Sequence, residues 1–197
     1  DNCHSKSFIS LFAIFSFLFG LSFFFFFFAS ARKGEPFIGK FIWRLVLLFV
    51  IGFIHSLFYR GDILSIYAMV GLGLVLFYRA SNLTLLIFAG IFVGGIPRMI
   101  LWAVRYALDI PPIEWESLEP QNAWYYDTVK NGSLLEVFAA NATVGFKMKL
   151  FFQFDTVSRG YITFGLFLLG IWVGRSRFFE RLQENRRLLI RLVWQSF

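Results

Sequence analysis

The chain is 197 residues long, 58% hydrophobic and 21% aromatic, with only 16% charged residues. A soluble domain carries about 25% charged and about 45–50% apolar residues, so a surface facing water throughout is excluded. The net charge of +7 does not read as a nucleic-acid interface, because the basic residues punctuate apolar runs instead of forming one block.

A helix needs about 20 mainly apolar residues to cross the roughly 30 Å hydrocarbon core of a bilayer. On that criterion the chain reads as a single membrane domain: an all-α, polytopic transmembrane helical bundle with about five spans and the start of a sixth. Residues 8–31 form the first span and contain the unbroken run Phe23 to Phe28. This stretch is longer than the roughly 7–15 residues of a signal-peptide core, although Ala29-Ser30-Ala31 has the small-x-small form of a cleavage site. Residues 41–59 follow a basic turn holding Arg32, Lys33 and Lys40. The third span covers 63–78 and the fourth 83–104, with Pro97-Arg98 near its far end.

Residues 105–157 read as an extracytoplasmic loop. Its first part, 109–132, is irregular, with Pro111, Pro112 and Pro120. Trp115, Trp124, Tyr125 and Tyr126 suit either the headgroup belt or the wall of a binding groove. Over 133–152, Leu134, Leu135, Phe138 and Ala142 recur at helical spacing and predict an interfacial helix. Residues 158–174 form the fifth span, and 188–197 open a sixth. The third and fifth runs are short, but their terminal Tyr and Arg side chains can snorkel and lengthen the reach. The chain starts at Asp1 and stops at Phe197 inside an apolar run, which reads as a piece of a longer protein.

Basic residues fix the orientation. Arg32–Arg44, Arg79 and the cluster Arg175, Arg177, Arg181, Arg186, Arg187 and Arg191 share one side, which the positive-inside tendency makes cytoplasmic. Arg60-Gly61-Asp62 and the long loop then face outward.

Chemistry concentrates between Arg44 and Gly73. Arg44 sits near the inner end of the second span and His55 near its outer end, about 16 Å apart at 1.5 Å per residue. His55 and Asp62 flank one short outer turn. An imidazole beside a carboxylate makes a general base or proton relay, and ionisable groups at membrane depth are functional candidates. Asp62 is equally well placed to cap the helix that follows. Gly52, Gly71 and Gly73 suit close helix packing. Cys3, the single cysteine, excludes an intramolecular disulfide, and beside His4 it lacks the further ligands that a metal needs. Asn131 and Asn141 open glycosylation acceptor triplets. Neither a phosphate-cradling glycine loop nor a nucleophile elbow is present, and the sequence names no cofactor. Pro97-Arg98 breaks a helix and adds a charge, a combination found where backbone lines a cavity.

Lys6-Ser-Phe8, Leu18-Phe-Gly20, Arg44-Leu45, Gly52-Phe-Ile-His55, Gly61-Asp-Ile-Leu64, Tyr67-Ala68 and Gly71 together resemble the YeiB-like family of bacterial membrane proteins, built on a domain of unknown function. Gly165-Leu-Phe-Leu-Leu-Gly170 and Gly174-Arg175 extend the resemblance, which covers most of residues 6–180. It implies a multi-pass protein of the cytoplasmic (inner) membrane, involved in transport, with further spans before Lys6. The family is also distantly similar to transmembrane acyltransferases that modify sugars. Two functions are therefore expected: transport of a small solute, or acyl transfer to an extracytoplasmic acceptor. In the second, His55 acts as base and Asp62 orients it. Arg44, Tyr67 and Arg98 are the expected substrate-binding residues, and no metal is expected.

Overall fold

The computed structural model describes residues 2–34, 37–110, 119–156 and 159–176, and every element among them is helical. The cluster Arg177–Arg191, the run 188–197, and Pro111, Pro112 and Trp115 lie outside the described residues, as do the side chains of Cys3, His4, Lys6 and Pro120.

Helix α1 (Asn2–Arg32) has 31 residues and is about 46 Å long at 1.5 Å per residue. It contains no proline and only Gly20, so nothing interrupts it before Gly34, whose left-handed φ of 66° turns the chain. Helix α2 (Phe37–Phe58) follows. Phe12–Ser30 within α1 and the whole of α2 are long and apolar enough to cross a bilayer unaided; counting two bent pairs as one span each brings the number among the described residues to at most four.

Helix α3 (Leu64–Leu72) continues as a 3-10 turn over Gly73–Phe77. Its nine α-helical and five 3-10 residues fall short of a bilayer's thickness. Six of the nine are buried, so α3 is an internal helix of the bundle. Ser81 caps helix α4 (Asn82–Val93) by accepting the Thr84 amide at 3.1 Å.

The fourth run is not one straight span. Gly94 and Gly95, the latter at φ 76°, break it, and helix α5 (Ile96–Ala107) leaves at 57°. Pro97 stands in the first turn of α5, where its missing N–H costs nothing. It therefore starts a helix instead of kinking one. No residue of α5 is buried; Arg98 and Arg105 share one side, with Ile96, Ile100 and Val104 on the other.

The long loop is more ordered than its prolines suggest. Helix α6 (Glu119–Asn131) occupies part of the stretch expected to be irregular. A capping box of Ser133 and Glu136 then starts helix α7 (Leu134–Ala140). This passes through a π-helical turn (Asn141–Gly145) into helix α8 (Phe146–Phe151), and ends in a second π-helical turn (Phe152–Thr156). Along the run expected to hold an interfacial helix, Leu134 and Leu135 are exposed, while Ala140, Asn141, Gly145, Met148 and Lys149 are buried. The run docks on the C-terminal half of α2, with Phe138 against Phe58 and Phe146 against Phe49 and Phe53.

Helix α9 (Arg159–Arg175) packs between α1 and α4 and touches α3. In lipid there is no hydrophobic drive between helices, so close backbone approach has to supply the contact. Small residues allow it: a Cβ on Gly20 would fall within the Phe167 backbone, one on Gly170 within the backbone of α1, and one on Gly165 against Ala89 and Val93 of α4. Gly52 meets the start of α3 in the same way. Outward-facing Phe15, Trp43, Ile51 and Leu76 are exposed, a surface suited to lipid.

Candidate functional site

The turn Tyr59–Ile63 joins α2 to α3 and brings His55 and Asp62 together. His55 Nδ1 lies 3.2 Å from Asp62 Oδ1. A carboxylate can only accept, so Nδ1 carries a proton; in the neutral ring the lone pair then falls on Nε2, as a base requires. The capping role is realised at the same time. Leu64 N–H donates to Oδ1 at 3.2 Å, and the Ser65 amide and hydroxyl donate to Oδ2 at 3.0 and 2.7 Å. Asp62 thus starts α3 and orients the imidazole with one side chain.

Burial alone would raise the Asp62 carboxyl. The amide and hydroxyl of Ser65, with His55 and the Leu64 amide, outweigh it and hold the group below its ordinary value. Lys149 reaches the same carboxylate from α8: its ammonium donates to Ser65 Oγ at 3.2 Å and sits 3.6 Å from Asp62 Oδ2. Both side chains are nearly fully buried, whereas that of His55 is about half exposed.

A cavity of about 410 Å³ opens beside this pair. Phe12, Ile63, Met148 and Phe152 form an apolar part of its wall; Arg60, Lys149, Arg159, Asp62, Tyr59, Tyr126 and Gln153 form the polar part. Arg60 donates to the Tyr126 hydroxyl at 3.1 Å and lies over the Tyr125 ring. Tyr125 in turn donates to Asn141 Oδ1 at 2.6 Å, and Asn141 donates to the Leu57 carbonyl at 2.6 Å. These bonds tie α6 and the π-helical turn to the end of α2. The buried amide oxygen of Gln153 has no hydrogen-bond partner among the described residues.

Two curated proteins are similar to this chain. The uncharacterised protein YxaH of Bacillus subtilis (strain 168) is 28% identical over 200 residues, 93% of this chain and 47% of that protein. An uncharacterised 39.9 kDa protein in the amylase 3' region of Bacillus acidopullulyticus is 39% identical over 90 residues, 42% of this chain and 26% of that protein. The chain thus spans about half the length of the first and about a quarter of the second. No protein-family model matches the chain, and no solved structure matches it significantly.

The remaining expected site residues are dispersed. Tyr67 does not line the cavity; its hydroxyl lies 2.7 Å from Ser16 Oγ and fastens α3 to α1. Arg44 is at the opposite end of α2, with its guanidinium 3.9 Å over the Phe26 ring, in a groove with Lys33, Lys40 and Trp43. Arg98 is exposed on α5 because the break at Gly94-Gly95 carries it away from the bundle. Sequence reasoning missed Arg60, Ser65, Lys149, Gln153 and Arg159. Lys149 left only a weak signal, a cation inside an apolar helical segment, and nothing local pairs it with Asp62.

Proposed function

We propose that this chain is the substrate-handling part of a YeiB-like, multi-pass protein of the bacterial cytoplasmic membrane that transports a small solute. The observation that carries the reading is the cavity lined by Arg60, Asp62, Lys149 and Arg159, set among helices whose outer surfaces are apolar. Ionisable groups kept in such surroundings are costly and commonly mark the path of a solute or an ion. The 57° break between α4 and α5 adds support, because transporters use interrupted helices. With the basic end of α2 on the cytoplasmic side, the cavity opens outward. The proposed topology has about five crossings, with the short α3 and its 3-10 continuation counted as one of them.

The test is radiolabelled solute uptake and efflux in cells carrying the intact protein, its deletion, or Lys149→Met. Equal fluxes in all three strains across a broad solute panel would end this reading.

A second reading, acyl transfer to an extracytoplasmic acceptor, draws on the His55–Asp62 hydrogen bond, which leaves Nε2 free to remove a proton from an acceptor hydroxyl. It expects an acyl group to vanish from envelope lipids or glycans in His55→Ala cells, seen by comparative mass spectrometry. An unchanged envelope profile would demote His55 to a positioning partner of Asp62.

A further inference from the structure

We infer that the groove between the end of α1 and the start of α2, around Arg44, holds the headgroup of an anionic phospholipid. This groove lies at the opposite end of α2 from the cavity beside Asp62, and the inference stands whether or not that cavity carries a solute. Residues 29–45 hold four cations, Arg32, Lys33, Lys40 and Arg44, against one carboxylate, Glu35, which lies outside the described residues. Setting Glu35 against Lys40 still leaves Lys33 and Arg44, which pair with no carboxylate among the described residues. Both line the groove. Basic pockets between membrane helices are places where acidic lipid headgroups settle.

Geometry separates this groove from scattered surface charge. The Arg44 guanidinium lies 3.9 Å over the Phe26 ring, a contact that fixes its plane and leaves its N–H donors for a phosphate oxygen. Arg44 stands about 10 Å into α2 at 1.5 Å per residue; helical side chains lean toward the N-terminus, so its charge is carried back toward headgroup level. Lys33 reaches the groove from the turn after α1, where its amide donates to the Ser30 carbonyl at 3.1 Å. A phosphodiester in this groove of about 400 Å³ would thus meet one cation from each side. What leads away from the groove favours a lipid over a free phosphate. Trp43, Leu47, Val50 and Ile54 are exposed and recur at helical spacing, so an apolar stripe runs from the groove along α2. Trp43 has the amphipathic ring that sits beside headgroups, and the stripe beyond it suits an acyl chain of the same molecule.

The experiment is native mass spectrometry of the intact, detergent-solubilised protein titrated with phosphatidylglycerol, phosphatidylcholine and glycerol 3-phosphate. One phosphatidylglycerol should bind at least tenfold tighter than phosphatidylcholine, and glycerol 3-phosphate should bind far more weakly than either lipid. Arg44→Gln should weaken phosphatidylglycerol binding about tenfold, the loss of one charge-assisted hydrogen bond, and leave phosphatidylcholine unchanged. Arg44 is exposed and its contact is the Phe26 ring, so the variant keeps the helix packing. Arg79→Gln serves as the control: Arg79 is exposed and stacks on Tyr78, whose ring lies near Phe37 at the same end of the bundle, yet it does not line the groove. Its affinity for phosphatidylglycerol should match that of the parent. Equal binding of the two lipids, unchanged affinity in Arg44→Gln, or an equal loss in Arg79→Gln would overturn the inference, the last by assigning the attraction to diffuse surface charge. Glycerol 3-phosphate binding as tightly as phosphatidylglycerol would overturn it in favour of a water-soluble phosphate.

Discussion

Asp62 accepts hydrogen bonds from two amides, a hydroxyl and an imidazole, beside a buried ammonium, and its removal strands all of them. Asp62→Ala should therefore destabilise the protein by about 3–5 kcal/mol, as breaking one side of a buried pair does, read as a lowered thermal unfolding midpoint in detergent. The carboxyl also carries a pH signature. Because its folded pKa is depressed, its contribution is complete above the ordinary carboxylate value and is lost as pH falls through the lower folded value. Acid below about pH 4 should lower the melting temperature of the parent protein, and Asp62→Asn should flatten that part of the profile. An identical acid limb in Asp62→Asn would assign the effect to other carboxylates. The His55–Asp62 contact is legible in the sequence because both residues flank one short turn. Lys149 is not, because it joins them from 84 residues beyond Ser65 and only tertiary packing brings it there.

At the scale of helices, packing depends on where a missing side chain lets two backbones meet. Gly170→Ala would push a methyl into the backbone of α1 and should lower the thermal midpoint, whereas Gly90→Ala on α4 meets open space. The second change should stabilise by up to about 1 kcal/mol through helix propensity; parallel melts of the two variants check the contrast, and equal shifts would refute it. The two long helices are legible from hydropathy alone, because about 20 apolar residues without a breaker have few other solutions. The fourth run is equally apolar yet bends. Hydropathy records how long a run is, not which way it travels, and the turn is decided by Gly95 in a left-handed conformation ahead of Pro97. The segment 134–156 shows only one of its faces in its pattern: its exposed leucines form an apolar face, while its buried face carries Asn141, Lys149 and Gln153. These polar groups are tolerated inside because the rest of the fold provides partners for Asn141 and Lys149, which no local pattern reveals.

For the molecule as a whole, the proposed orientation makes a direct claim. In a Cys3→Ser background, a membrane-impermeant maleimide should label Lys130→Cys in intact cells and Lys33→Cys only after permeabilisation. The reverse pattern would invert the topology and turn the cavity toward the cytoplasm. The connection between the two halves of the site also depends on counting. In a regular α-helix, residues eight apart point about 80° away from each other, whereas seven apart they differ by only about 20°. Asn141 and Lys149 are eight apart and both must face inward, one to hold the Leu57 carbonyl and the other to meet Ser65. The π-helical turn Asn141–Gly145 absorbs one residue and restores the phase. Deleting Ala142 should therefore act like a slipped tooth in a gear: either anchor can engage, but not both. Such a variant would keep its helix content by circular dichroism while losing the stabilising contribution of one anchor, so the site's alignment is stored in a residue count as much as in the identity of any residue.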